Sequence, residues 1–286
     1  MNCTTITAAM KFATSKLSAA GIQEPRLDSK ILLCHAAKID QLTILSNPER
    51  LLSSESIKIF DELIQRRALR EPVSHLVGQR EFWSLPFKVS QDVFDPRPES
   101  EILVQAAIDS IKNKEKVISA LDIGTGSGCL IISLLRELPL ASGVGVDISE
   151  PALCIARSNA EQNLVGDRIK FIKSSWGEDL SERFDIIITN PPYIPIREKH
   201  LLEPEVAHYE PGLALFGGCD GLSAYHHLCF HLLKLLKPEG IVIIECGKGQ
   251  AQSVIKIFTD SSFIHLKTLL DLNAVERCCI FEKGQN

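Results

Sequence analysis

Through the N-terminal quarter of the chain, apolar residues recur at three- and four-residue intervals. From Thr4 to Ala20, the stripe Ile6, Ala9, Met10, Ala13 and Leu17 predicts a helix that Gly21 stops. Pro25 opens a second helix with the stripe Leu27, Ile31 and Cys34. A third runs from about Ser53 to Leu69, with Ile57, Phe60 and Ile64 on one face, and ends at Glu71-Pro72. Short, closely spaced helices of this kind predict a small bundle. His75–Gly78 and Glu81–Val89 then carry β-type residues around a Leu-Pro turn and predict a hairpin. From Lys116 to Glu282 the pattern alternates. Strand-like runs fall at Val117–Ile123, Gly143–Asp147, Ile169–Ile172, Phe184–Thr189, Ile241–Glu245, His265–Leu270 and Arg277–Glu282. Helical stretches fall at Cys129–Glu137, Pro151–Asn163, Leu222–Leu236 and Gln250–Thr259. The expected fold is therefore α/β: a seven-stranded, mainly parallel, doubly wound sheet of Rossmann-like type behind a helical bundle and a β-hairpin linker. The segmentation is residues 1–72, 73–95 and 96–286.

Composition changes this picture little. The 286 residues are 45% hydrophobic and 23% charged, with net charge −5, the balance of an ordinary soluble domain pair. An acidic chain without a Lys/Arg-rich block lacks the phosphate-neutralising surface that general nucleic-acid binding needs. The nine cysteines show neither CxxC pairing nor Cys/His zinc spacing, so they read as reduced, mostly buried thiols, and no metal site is expected. With no leader-like start and no apolar run long enough to span a bilayer, the expected setting is the cytoplasm.

The candidate chemistry sits at strand ends. The first strand of the alternating region runs into Gly124-Thr125-Gly126-Ser127-Gly128 and then an apolar helix. In that context the glycines read as a ligand loop. The spacing is not that of the dinucleotide fingerprint, and no Lys follows as in a nucleoside-triphosphate loop. Asp147 ends the second strand, placed to accept hydrogen bonds from ribose hydroxyls; capping of the next helix suits Ser149 better. Trp176 lies in the loop after the third strand, as a ring for an adenine face or as packing. A ribose-bearing adenine compound without a phosphate clamp fits S-adenosyl-L-methionine, which leaves as S-adenosyl-L-homocysteine. After the strand Phe184–Thr189 comes Asn190-Pro191-Pro192-Tyr193. Asn190 Oδ1 and the Pro191 carbonyl form a pair of acceptors for a planar NH2 group, the prolines fix them, and Tyr193 offers a ring face. Phe94, in the proline-stiffened stretch Val93–Ser100, reads either as part of an interdomain elbow or as a residue held against the cleft.

The tetrapeptide and Leu121–Gly128 resemble the seven-stranded S-adenosylmethionine-dependent amino-methyltransferases. With Asp95-Pro96-Arg97-Pro98-Glu99-Ser100-Glu101, Glu210-Pro211-Gly212-Leu213-Ala214-Leu215 and Gly217-Gly218-Cys219-Asp220-Gly221-Leu222, the whole chain resembles the HemK/PrmC family of release-factor glutamine methyltransferases. The resemblance implies methylation of the glutamine side-chain nitrogen in the Gly-Gly-Gln loop of peptide chain release factors. It implies a cofactor site at Gly124, Thr125, Gly126, Ser127, Gly128, Asp147, Trp176 and Asn190. It implies a substrate site at Asn190, Pro191, Pro192, Tyr193 and Phe94, with Asn190, Pro191 and Tyr193 carrying catalysis. The bundle would grip the release factor, and a monomer with no nucleic-acid or membrane partner is expected. Three positions depart from the family pattern: Asp95 where an apolar residue is usual, Ser100 in place of Thr, and Ser175 where relatives carry an acidic residue. A DNA adenine-N6 methyltransferase also needs a planar NH2 held this way, and remains the alternative that the tetrapeptide alone leaves open. A scaffold that keeps the fold without the activity is the other class.

Overall fold

The computed structural model describes residues 4–111 and 116–284. The chain gathers into two units: one holds everything up to Gly78 together with Glu203–Tyr209, the other Gln79–Leu202 and Glu210 onward.

The first unit is helical: α1 (Ile6–Ala19), α2 (Pro25–Ala37), α3 (Gln41–Ser46), α4 (Ser54–Ala68) and α5 (Val73–Val77). Thr5 and Ser53 cap α1 and α4 by accepting from Ala8 N and Ser56 N, satisfying amides that the first turn leaves orphaned. The predicted face of α1 is buried at Ile6, Ala9, Ala13 and Leu17. That of α2 is rotated from expectation. Leu32, Leu33 and Ala36 are buried with Ser29, while Leu27 is exposed; Ser29 Oγ donates to Pro25 O at 2.6 Å, so its hydroxyl is buried without penalty. Helix α3 lies where no helix was expected, because Asp40 caps it by accepting from Thr43 N at 2.7 Å. The strand predicted at His75–Gly78 is also a correction. Pro72 and Gly78 (φ +71°) supply both ends of α5, and burial of Leu76 in the bundle overrides β-propensity. Arg67 is buried on α4 and paired with Asp28 at 2.7 Å and Glu205 at 2.9 Å, and Arg70 reaches Glu205 at 2.7 Å.

The second unit begins with the hairpin β1 (Gln79–Phe82) and β2 (Leu85–Lys88), whose Phe82 and Phe87 enter this unit's core. Buried Asn159 ties it down, accepting from Lys88 N at 2.7 Å and donating to Lys88 O at 3.1 Å and Ser127 O at 2.8 Å. Then follow α6 (Glu101–Asp109), β3 (Ser119–Ile123), α7 (Cys129–Glu137), β4 (Ser142–Asp147), α8 (Glu150–Gln162), β5 (Ile169–Lys173), β6 (Phe184–Thr189), the short α9 (Pro204–Tyr209, placed with the helical unit) and α10 (Gly212–Leu215), α11 (Ser223–Leu235), β7 (Leu236–Glu245), α12 (Ala251–Asp260), β8 (Phe263–Leu270) and β9 (Glu276–Lys283). The seven-stranded sheet has the order β5-β4-β3-β6-β7-β9-β8. It is parallel through β7, and β9 runs antiparallel to both β7 and β8.

Both faces of the sheet are covered. Ala120, Ile186, Ile188 and Ile243 pack with α6 and α7, while Leu121, Ile187, Val242 and Ile244 pack with α11 and α12. Each such buried Leu, Ile or Val side chain contributes about 1.5–3 kcal/mol, so the continuous apolar runs read in the sequence belong to strands sandwiched between helical layers. Among the cysteines, Cys229, Cys246, Cys278 and Cys279 are buried but Cys154 and Cys219 are exposed, all of them free; Cys3 lies outside the described residues. No helix among the described residues is long and apolar enough to cross a membrane.

Candidate active site

Strand order reverses at β3, with β4 and β5 to one side and β6 and β7 to the other, and the C-terminal edge at such a switch point is where open α/β sheets bind ligands. Register makes this concrete. Ile123 pairs with Val146 and with Thr189, and Thr189 pairs with Ile244. The next residues on these four neighbouring parallel strands are Gly124, Asp147, Asn190 and Glu245, which therefore stand side by side along one edge. A cavity of about 290 Å³ opens there, near the lower end of the range usual for small-molecule sites, roughly 300–1,000 Å³. Every candidate cofactor and substrate residue read from sequence lines it except Gly128.

The glycine loop is held from both sides. Gly124 N and Thr125 N both donate to Val146 O at 2.9 Å, and Thr125 Oγ1 donates to the buried Asp122 carboxylate at 2.7 Å. Burial pushes that carboxyl up to about 7, against the pull of the Thr125 hydroxyl. Gly126 has φ +54°, and a Cβ placed there would meet no atom of the chain within 4 Å; a side chain would occupy the cavity itself. Gly128 stands behind the wall. At φ +82°, its Cβ would lie 2.8 Å from Ile132 Cδ1 and 3.3 Å from Ala156 Cβ, so its smallness lets α7 and α8 close up. Asp147 Oδ2 accepts from Gly126 N and Oδ1 from Ser149 N, each at 2.9 Å. Ser149 caps α8 through Ala152 N. The carboxylate thus fixes the loop while facing the cavity. Trp176, at φ +55°, lines the cavity and lies parallel to His227 with ring centroids 6.2 Å apart.

On the other side, Asn190-Pro191-Pro192-Tyr193 is braced by the two stretches that follow it. Ile194 N donates to Leu215 O and Gly217 N to Ile194 O. A Cβ at Gly217 would come within 2.4 Å of Pro192 O, and one at Gly221 within 2.3 Å of Tyr193 O. The Gly-Gly-Cys-Asp-Gly segment is therefore the bed on which the tetrapeptide's backbone lies. Gln250 Nε2 donates to Tyr193 O at 2.9 Å. Pro211, Leu213, Ala214 and Leu215 close this end of the cavity.

Behind Asn190 is a polar chain that sequence reading missed. Asn190 Nδ2 donates to Ser100 Oγ at 3.2 Å, Ser100 Oγ donates to Glu245 Oε2 at 2.5 Å, and Tyr193 OH donates to Glu245 Oε1 at 3.3 Å. Ser100 has one hydroxyl proton, and with that proton directed at the carboxylate its oxygen accepts from Asn190 Nδ2. Asn190 Oδ1 is then the amide atom free for the cavity. Tyr225 OH donates to the Glu245 carbonyl at 3.1 Å. Only the register Thr189 with Ile244 brings Glu245 here, and no local motif signals it.

Phe94 lines the cavity, and Arg97 Cζ lies 4.9 Å from its ring centroid. Arg97 is gripped by buried Glu210, and Asp95 Oδ2 lies 3.7 Å from Arg97 Nη1. Burial pushes the Glu210 carboxyl up while Arg97 pulls it down. The stiff stretch presents the Phe94 ring to the cavity, and it lies inside the second unit, away from the Gly78/Gln79 boundary where an interdomain elbow would sit. Among the described residues no group of three or more His, Cys, Asp or Glu side chains could hold a metal ion.

Known families and proteins resemble the chain over most of its length. A family model described as the PrmC N-terminal domain matches residues 8–78, and a methyltransferase-domain model matches residues 113–275. A release factor glutamine methyltransferase of Caulobacter vibrioides is 38% identical over 281 residues, covering 98% of this chain and 97% of the relative. One from Rhodospirillum rubrum is 36% identical over 265 residues, covering 93% and 81%. The crystal structure of a methyltransferase from Pyrococcus furiosus superposes with a TM-score of 0.55 at 17% identity, covering 77% of this chain and 99% of that one; at that identity the likeness is one of fold.

Proposed function

The chain belongs to the family of release factor glutamine methyltransferases, and from that premise we propose that it transfers a methyl group from S-adenosyl-L-methionine to the side-chain amide nitrogen of the Gly-Gly-Gln glutamine in peptide chain release factors. The observation that carries this reading is the orientation of Asn190: its Nδ2 is committed to Ser100, leaving Oδ1 to the cavity.

The loop Gly124 to Ser127, Asp147 and Trp176 fit the donor. The backbone is open at Gly126, a carboxylate faces the cavity where ribose hydroxyls need an acceptor, and an indole lines the wall. Bound there, the donor supplies an electrophilic sulfonium methyl and leaves as S-adenosyl-L-homocysteine. An amide nitrogen is a poor nucleophile because its lone pair is delocalised into the carbonyl. Asn190 Oδ1 and the Pro191 carbonyl accept its two N–H bonds, which turns the lone pair out of the hydrogen-bonding plane, and Tyr193 and Phe94 give the flat group a ring wall. As positive charge develops on nitrogen these two acceptors strengthen, so the contribution is alignment plus electrostatic stabilisation of the transition state. The attacking nitrogen becomes acidic on alkylation, and its proton departs afterwards without a dedicated strong base. The helical unit is the proposed docking module for the release factor.

The test is a partition of label. Incubated with methyl-labelled donor, a release factor and duplex DNA together, the protein should label the factor alone; label in DNA would replace this reading with the adenine alternative.

A further inference from the structure

Glu245 is nearly fully buried, at 2% exposure, does not line the cavity, and has no part in the alignment just described. It nevertheless holds both polar side chains of the tetrapeptide, Tyr193 directly and Asn190 through Ser100. We propose that Glu245 is a positioning residue for methyl transfer: acting through Ser100, its protonation state sets which atom of the Asn190 amide faces the cavity. This rests on the proposed function for its consequence in turnover, but not for its structural content.

The chain of three groups has two hydrogen-bonding senses. With Glu245 ionised, the carboxylate can only accept. Ser100 gives it the hydroxyl proton and accepts from Asn190 Nδ2, so Oδ1 faces the cavity and can receive an N–H of the substrate amide. With Glu245 protonated on Oε2, while Oε1 still accepts from Tyr193 OH, the carboxyl becomes a donor to Ser100 Oγ. Ser100 then turns its own proton to Asn190, which must offer Oδ1 inward and present Nδ2 to the cavity. Two NH2 groups would then face each other, and the substrate amide would lose one acceptor. The proton enters from solvent and is not consumed, so the relay is a switch of orientation and takes no part in the bond exchange.

The surroundings place this switch in an accessible pH window. Burial pushes the Glu245 carboxyl up to about 7. The Ser100 hydroxyl, Arg277 on β9 and the Tyr193 hydroxyl pull it down, and the charge of Glu99 on the proline elbow pushes it further up. Arg277 is itself divided, with its guanidinium 3.3 Å from Asp271. The thiols and the phenol around the carboxylate do not ionise in this range: Cys278 is its register partner on β9, with a thiol pushed up by burial, Cys129 on α7 is pushed up to about 12, and Tyr225 on α11 is raised well above its ordinary value. Asp122 on β3, whose charge like that of Glu245 acts on Cys129, is a second carboxyl raised to about 7, but its partner is Thr125 and not the Ser100–Asn190 chain. Because the folded-state carboxyl lies above its usual range, the competent, ionised form is populated above about 7 and lost as pH falls through it.

Two readouts test it, one needing no substrate. With nitrogen-15-labelled asparagine, the Asn190 side-chain amide signal of the whole protein should shift between about pH 6 and about pH 8, and the shift should vanish in Glu245→Gln. At saturating substrates, the parent kcat should drop roughly ten-fold per pH unit on the acid side of the same midpoint, and Glu245→Gln should make that drop shallower, leaving only what the Asp122 carboxyl beneath the glycine loop contributes. Ser100→Ala should lose roughly ten- to a hundred-fold in kcat with KM little changed and also lose the pH step; Ser100→Thr, which keeps the hydroxyl, should restore both. An Asn190 signal that titrates alike in parent and Glu245→Gln overturns the inference, as does Ser100→Ala with the parent's kcat and pH profile. If Glu245→Gln does not fold, the Ser100 pair decides. An Asn190 signal that behaves as expected in a protein that labels no release factor would remove the proposed function and leave the relay standing.

Discussion

Gly221→Ala puts the bed beneath Asn190-Pro191-Pro192-Tyr193 to the test. Gly221 has φ +81°, and a Cβ there would lie 2.3 Å from Tyr193 O, 2.6 Å from Gln250 Nε2 and 3.2 Å from Pro195 Cδ. The left-handed backbone alone costs a non-glycine residue about 1–2 kcal/mol. The contact with Tyr193 O is with backbone, so no rotamer relieves it, and overpacking of this kind adds roughly 1–3 kcal/mol. Relief requires the Tyr193–Ile194 segment to move, which also loosens the 2.9 Å bond from Gln250 to Tyr193 O, worth about 0.5–1.5 kcal/mol. Gly249 provides the control: it has φ +79°, but nothing lies within 4 Å of its added Cβ, so Gly249→Ala should cost only the backbone share, about 1–2 kcal/mol. In urea titrations Gly221→Ala should be less stable than Gly249→Ala by roughly 2–4 kcal/mol. Its turnover should fall by about a hundred-fold, because a displacement on the order of 1 Å at the aligning groups has that effect. Equal stability of the two variants, or parent turnover in Gly221→Ala, would refute the idea that this glycine holds the tetrapeptide in place.

Three other perturbations have defined outcomes. Asp147→Asn keeps the shape but removes the charge, and donor affinity measured by calorimetry should fall roughly ten- to a hundred-fold, the worth of a charge-assisted hydrogen bond; unchanged affinity would take the ribose role from Asp147. Asn159→Ala strips two hydrogen bonds that pin the hairpin at Lys88 and a third to Ser127 O of the glycine loop and should destabilise by about 2–4 kcal/mol in urea, with β1-β2 amides exchanging first. Asp185 is pushed up by burial but more strongly held down by the hydrogen bonds from Lys237 and Ser119, to about 2. Its folded value lies below its ordinary value of 3.8, so its contribution is complete above about 4 and lost as pH falls toward 2. The stability gap between parent and Asp185→Asn should therefore close across that window, and a gap constant with pH would contradict the assignment.

How far the sequence carried depended on whether the signal was local. The strand Phe184–Thr189 and the helix Cys129–Glu137 have the boundaries their apolar pattern predicts. β7 starts at Leu236, well before Ile241: Leu236 pairs with Phe184 and Ile241 with Ile186, so Lys237-Pro238-Glu239-Gly240, with its turn chemistry, forms an irregularity between two paired stretches. Helix α5 and the rotated face of α2 were hidden for a related reason: the burial of Leu76, Leu32 and Leu33 is decided by the rest of the bundle. At the cavity, residues adjacent to a motif were legible, and those brought in by sheet register were not. Ser100 stood in the sequence only as a departure from a family pattern, and Glu245, 145 residues away, as the end of a strand. Neither spacing nor periodicity encodes a hydrogen bond across that separation; the pairing of Thr189 with Ile244 does.

The most direct measurement of the account is mass-spectrometric localisation of the methyl group after incubation of a release factor and donor with the parent protein or with Asn190→Ala. The account predicts one methyl on the side-chain nitrogen of the Gly-Gly-Gln glutamine with the parent, and none with Asn190→Ala, although that variant keeps the parent's circular dichroism. A methyl found on any other residue of the factor, or full methylation by Asn190→Ala, would contradict it.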